Sequence, residues 1–309
     1  MDIPYFIISI DLELLWGRKK TELFNLIKRN EKELREKIDN LLQLFEKFDI
    51  PATWAIVGHL FLEQCDKKTC LTSTNIKKYK YGREWYIDPY TDLSHDPLFY
   101  GKDLIEKIIS SSAKHEIGYH SFSHPNFSEI SAGMAENEIK EAKKIEKEWN
   151  IKLKSFVFPY NKIAHVNILK ENGFMIYRGK SGTCCANEKN IVLKKFKGSV
   201  DKIIAPPVEP KWIDGIWEIQ SSAHFCDPQT PKSLFFKSKL GLERAISNKK
   251  IFHIWFHCWS PLLYKKLEQD LRKFLECISE KRREDKLEVI TMGELAEKLN
   301  LLKRRDLFV

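Results

Sequence analysis

The chain has 309 residues, 43% of them hydrophobic and 31% charged. That balance fits one globular domain with a sizeable core and excludes a low-complexity polymer. A formal charge of +9, from 52 Lys and Arg against 43 Asp and Glu, could suit nucleic acid. Lys alternates with Glu along stretches such as 136–144, however, which is the pattern of a solvated helix face, so no nucleic-acid partner is expected.

Met1 to Pro4 leads into a short apolar run, Tyr5–Ile10, that stops at Asp11. It is too short for a transmembrane segment and lacks the form of a secretory signal, so a cytoplasmic location is expected. The cysteines Cys65, Cys70, Cys184, Cys185, Cys226, Cys258 and Cys277 are odd in number and scattered, which suits reduced thiols. Cys65 and Cys70 lack the spacing of a zinc ribbon.

In chain order, Tyr5–Ile10 reads as a strand and Thr21–Phe48 as one long charged helix. Ala52–Val57 is rich in strand formers, and Asp103–Ser110 is helical. Glu116–Tyr119 is a short buried strand, Ala135–Trp149 a helix, Ser155–Phe158 a strand and Val166–Asn172 a helix. Met175–Tyr177, Ile216–Ile219 and Ile251–Phe256 read as strands; Lys232–Ser247 and Leu263–Glu280 read as helices. Val289–Ile290 leads into a last helix, Met292–Leu301. Strands alternating with helices imply a parallel sheet, and at this strand count closure into a barrel is expected. The segment 65–97 breaks the rhythm with turn residues and aromatics. It reads as an insertion within one domain spanning 1–309, placed to cover a site.

Four local patterns carry chemistry. Asp11 and Glu13 stand at i and i+2 after an apolar strand, on one face, at the strand end where barrel enzymes place their chemistry. His120 and His124, at i and i+4 after Glu116–Tyr119, are close enough on one helical turn to hold one metal. The neighbouring pair His115 and His120 imitates a metalloprotease pattern but is one residue too long, so His115 is expected to be structural. His253 and His257 also stand at i and i+4, but in a strand they lie roughly 13 Å apart and cannot share a metal. His257 falls at the strand's C-terminal end, while His253 reads as a core histidine. Phe156 to Asn161 is a strand ending at Pro159, where exposed N–H groups suit a developing oxyanion. Each pattern alone also suits an ordinary surface or core role. The four in this order, each at a strand end, point to one site.

This ordered set resembles the polysaccharide deacetylase (NodB-homology) superfamily, from Ile7 to about Trp259, with local similarity to members of bacterial surface-polysaccharide clusters. The resemblance implies an irregular (distorted) β/α barrel. It implies Asp11 as catalytic base, Glu13, His120 and His124 as ligands of a divalent metal, expected to be zinc, the Tyr160 backbone N–H as part of an oxyanion hole, and His257 as general acid. The sequence departs from the family where an Arg usually orients the base: Val157 stands there, and Tyr160 replaces the Arg of Phe-Pro-Arg-Asn. Arg178 is expected to supply that cation. The fourth motif's Asp and Trp have no clear counterpart. Trp16, Trp54, Trp85, Trp217 and Trp259 are candidate stacking surfaces for sugar rings, with core packing as the competing role. The expected substrate is an acylated amino sugar, nucleotide- or lipid-linked, on the way to surface polysaccharide. A non-catalytic carbohydrate-binding protein on the same fold and a deformylase or other amidase are the alternatives.

Overall fold

A computed structural model describes residues 3–18, 21–72, 88–181, 205–226 and 234–306. Its centre is β1 (Tyr5–Leu12), flanked in parallel by β2 (Thr53–Ile56) and β9 (Ile251–His257). From β2 the parallel ladder continues through β3 (Glu116–Tyr119), β4 (Ser155–Val157) and β5 (Ile176–Ser181) to β7 (Ile216–Ser221). The short strand β6 (Lys211–Ile213) pairs antiparallel with β7 across Asp214 and Gly215. Both turn residues have positive φ (51° and 87°), the conformation a two-residue hairpin demands. On the other flank β8 (Ala223–His224) pairs with β9, and β10 (Glu288–Val289) pairs with the start of β1.

The ladder is not a closed ring. β7 bonds to β5 and, after a break at Ser222, the same stretch of chain bonds to β9 as β8. One bent segment thus bridges the two flanks, and the architecture is α/β with a parallel sheet, compatible with a distorted barrel. The strand expected at Val289–Ile290 is Glu288–Val289. The long N-terminal helix is broken at Asn30 into Glu22–Arg29 and Glu31–Phe48.

Alternation along β1 explains the layering. Phe6, Ile8, Ile10 and Leu12 join the main core with Leu34, Leu41, Phe274 and Ile278 of the surrounding helices. Ile7 instead joins Ile176, Ile219 and Ile251 in a second cluster, plugged by Met292, Leu295, Ala296 and Leu299 of the last helix, Met292–Asp306. Above that apolar plug the same β1 face carries Ser9 and then Asp11. β9 runs in register beside it, pairing Ile7 with His253 and Asp11 with His257. On β1 this face is thus apolar at its start and polar towards its C-terminal end, where the candidate site lies.

Candidate metal and catalytic site

Asp11 and Glu13 are 2% and 1% exposed. Such carboxylates persist in the interior only with strong partners. Asp11 has one: Arg178 donates from both guanidinium nitrogens to its two oxygens, each at 2.7 Å. Arg178 is itself buried in mid-β5. It also donates to Ser9 Oγ (3.1 Å) and to Asn161 Oδ1 (3.4 Å), and its guanidinium lies 4.1 Å from the centroid of the Trp255 ring. Burial, the largest single influence, would raise the Asp11 carboxyl, but the Arg178 charge and hydrogen bonds together with the nearby histidines outweigh it and the pKa falls below its ordinary value. At the position expected for the motif cation, Val157 contributes its carbonyl instead, which lies 2.7 Å from His120 Nδ1.

That contact orients His120. An Nδ1–H donated to a carbonyl leaves Nε2 as the free lone pair, the usual arrangement behind a metal ligand. His120 Nε2 is 3.7 Å and His124 Nε2 2.7 Å from Glu13 Oε2. Donor atoms of the three residues all lie within 4.8 Å of one another. His124 Nδ1 is buried without a hydrogen-bond partner, and burial drives the ring's pKa down, which favours the neutral form a ligand needs. The other Glu13 oxygen, Oε1, is engaged by Arg18 and by Trp259 Nε1 (3.0 Å). Burial opposes ionisation of Glu13, yet Arg18 and the neighbouring histidines hold it well below its ordinary range. The donor set of one carboxylate oxygen and two imidazole nitrogens fits a divalent ion with open positions.

Backbone geometry builds the cradle. Ser121 and His124 both have positive φ, and the loop between them is tied down by Glu138. That buried acid accepts from the Phe122 amide (2.9 Å), the Ser123 amide (2.7 Å) and Ser123 Oγ (2.5 Å). Gly17, at φ +69°, lies under the His124 ring, and a Cβ there would collide with Nδ1. Tyr160 is left-handed (φ 56°, ψ 14°); its ring packs edge-on to His124 and its hydroxyl donates to Gly17 O at 2.6 Å.

His257 closes the site. Its Nε2 is 3.6 Å from Glu13 Oε1 and 4.0 Å from Asp11 Oδ2, and its ring stacks on Trp259 at 4.1 Å. Burial pushes its pKa down to about 3, which favours the neutral imidazole at rest. His253 lies deeper, between Ser9 Oγ and Gln220 O. His115 accepts from the Ala52 amide. Both are structural.

The tryptophans divide. Trp259 lies in the site. Trp16 (1% exposed) donates to Phe99 O, and Trp54 (0%) packs against Phe45 and His115, so neither has a free face for a sugar. Trp217, the second residue of β7, lies near the N-terminal end of that strand and donates to Asn300. Trp85 lies outside the described residues. The described legs of the 65–97 insertion root at the site end, where the Leu15 amide bonds to Leu98 O. Arg18 and Glu138 were not anticipated. Glu138 could have been found as the one acid on the apolar stripe Ala135, Ile139, Ala142, Ile145. Arg18 had no signal beyond following the acid pair.

Residues 29–176, just under half of the chain, match the polysaccharide deacetylase family. The match covers His120 and His124, whereas Asp11, Glu13, Arg178 and His257 lie outside it and rest on the geometry above. Among solved structures, a Mycobacterium smegmatis protein assigned to the polysaccharide deacetylases is similar over 98% of this chain and 92% of its own, at 13% identity and a TM-score of 0.61. A 4-alpha-glucanotransferase from Thermococcus litoralis is similar over 96% of this chain and 41% of its own, at 14% identity and a TM-score of 0.55. At such identities the likeness concerns the fold alone. No curated protein sequence matches the chain.

Proposed function

We propose that the protein is a metal-dependent hydrolase that removes the N-acetyl group of an amino sugar. The observation that carries this reading is a buried carboxylate, clamped by Arg178, beside a second carboxylate that converges with two neutral-capable imidazoles. Glu13 Oε2, His120 Nε2 and His124 Nε2 would hold the cation, for which zinc suits the donor set. Bound there, a divalent cation supplies a Lewis acid for the acyl carbonyl and acidifies water.

Asp11, ionised and fixed by Arg178, accepts the proton of the attacking water. The Tyr160 backbone N–H donates to the developing oxyanion. His257, neutral at rest, receives its proton during turnover from Asp11 Oδ2, 4.0 Å away, and passes it to the leaving nitrogen. The water proton thus ends on the free amine, and acetate carries the water oxygen.

Among the described residues Cys65, Cys70, Cys226, Cys258 and Cys277 form no disulfide, which suits a reducing compartment. The substrate would then be a cytoplasmic precursor of surface polysaccharide. The +9 charge would favour a nucleotide- or lipid-linked sugar bearing phosphate. The insertion at 65–97 would cover the mouth and set substrate range. Incubating the metal-loaded chain with N-acetyl and N-formyl amino sugars, free and phosphate-linked, tests the reading. Acetate release supports it, formate release alone indicates a deformylase, and binding without release indicates a carbohydrate-binding member.

A further inference from the structure

A second set of metal-type donors lies outside the catalytic constellation. His59 sits in the turn Gly58–Phe61 after β2, while Cys65, Cys70 and Asp88 come from the two legs of the insertion. The legs are joined at their base by Cys65 N to Thr91 O (3.0 Å) and Leu93 N to Glu63 O (2.9 Å). His59 and Asp88 side chains are 0% exposed, and both thiols are buried and unbridged.

Ligand atoms of the four residues lie within 4.8 Å of one another. Asp88 Oδ2 is 3.2 Å from His59 Nε2, 3.7 Å from Cys65 Sγ and 3.8 Å from Cys70 Sγ. In a tetrahedral zinc site with bonds of ~2.0 Å to N and O and ~2.3 Å to S, neighbouring donors are about 3.3–3.8 Å apart. The three separations from Asp88 Oδ2 are therefore close to edges of that tetrahedron, and the remaining donor pairs lie within 4.8 Å.

The supporting contacts aim the donors. His59 Nδ1 lies 3.3 Å from Phe99 O, which leaves the buried Nε2 to face Asp88 Oδ2 and the two thiols. Tyr90 N donates to Asp88 Oδ1 (2.9 Å) and Thr72 Oγ1 to Asp88 Oδ2 (2.7 Å), fixing the carboxylate plane as outer partners of a metal ligand do. Two thiols, a carboxylate and an imidazole nitrogen converging in a buried space are the donor types a zinc ion selects.

We propose that His59, Cys65, Cys70 and Asp88 bind a structural zinc ion that staples the two legs of the insertion to the turn after β2. The site is closed, with four protein donors and no open position, so it is not a second catalytic centre. It acts on the catalytic end through position. The His59 amide bonds to Phe122 O (2.9 Å) in the His120–His124 loop, and the His59 ring packs on Trp16 at 4.4 Å.

Cobalt(II) titration of the chelator-treated full chain tests this, because the Glu13, His120 and His124 site contains no sulfur. The expected result is two equivalents bound per chain, one of them accompanied by thiolate-to-cobalt charge-transfer absorption in the near ultraviolet. In His120→Ala one equivalent should be lost and that absorption kept. In Cys70→Ser the absorption should be lost while one equivalent remains. A wild-type chain that binds cobalt without the charge-transfer band, or a band that survives in the Cys65→Ser/Cys70→Ser variant, would overturn the proposal. So would a Cys65–Cys70 disulfide in place of metal. The wild-type and His120→Ala spectra suffice even where the cysteine variants fail to fold.

Discussion

Replacing Arg178 by Met keeps most of the side chain's length and apolar contact but removes the charge opposite Asp11. Asp11 is 2% exposed and takes two hydrogen bonds of 2.7 Å from Arg178. Removing one partner of such a pair strands a buried charge and costs about 3–5 kcal/mol. The pH dependence has a definite sign. In the wild type the folded Asp11 carboxyl lies below its ordinary 3.8. Its stabilising contribution is complete above that value and is lost as pH falls through the folded pKa. In Arg178→Met, burial is left as the largest influence and carries the folded pKa above 3.8, so the variant gains stability relative to wild type as pH falls from 7 towards 4. Urea denaturation at several pH values reads this directly. Asp11→Asn added to Arg178→Met should recover much of the loss at pH 7, because the stranded charge is gone. Turnover should fall at least ~10²-fold, the low end for a mispositioned general base. Stability within ~0.5 kcal/mol of wild type at pH 7, the range of an ordinary surface change, or no recovery from the added Asp11→Asn, would refute the clamp.

His120→Ala and His124→Ala should each lose the catalytic metal, read by elemental analysis, whereas Asp11→Asn should keep it and lose turnover. His257→Ala should also keep the metal and lose about 10²–10⁴ in rate; near-wild-type turnover per folded, metal-loaded molecule would return His257 to a packing role. Gly17→Ala should weaken metal binding with little change in secondary structure, since the added Cβ displaces His124; unchanged affinity by competitive chelation counts against that cradle. Glu138→Ala leaves two amides and a hydroxyl without their acceptor, so metal affinity should fall by about 10–100-fold, the usual scale for an outer partner, and a rebound wild-type affinity in Glu138→Gln would separate shape from charge.

The strand ends were legible because short, nearly continuous apolar runs stop abruptly at polar residues: Ile10 at Asp11, Tyr119 at His120, Phe256 at His257. The parallel order follows from the intervening helices. Other features needed three dimensions. Arg178 was expected at a strand end but lies inside the longer strand β5, where its length lets it reach across the interior to Asp11. Glu138 stood in a stretch read as a solvated face. Its neighbours Lys140 and Glu136 do pair at the surface, but Glu138 is 0% exposed because three donors of the histidine loop need an acceptor. The hairpin at 211–216 carried an Asp-Gly turn signal that the flanking residues, half-exposed and aromatic, did not reinforce. Cys65 and Cys70 have no ribbon spacing, and only the fold brings His59 and Asp88 to them.

The most direct measurement is stoichiometric release of acetate and free amine from N-acetylated amino sugars by the metal-loaded chain, with and without chelator and beside Asp11→Asn. Metal-dependent deacetylation predicts equal amounts of both products, lost on chelation, restored by zinc and absent from Asp11→Asn despite bound metal. A folded wild-type chain with its metal in place that releases neither product from any sugar in the panel, or releases them equally well after chelation, would contradict it.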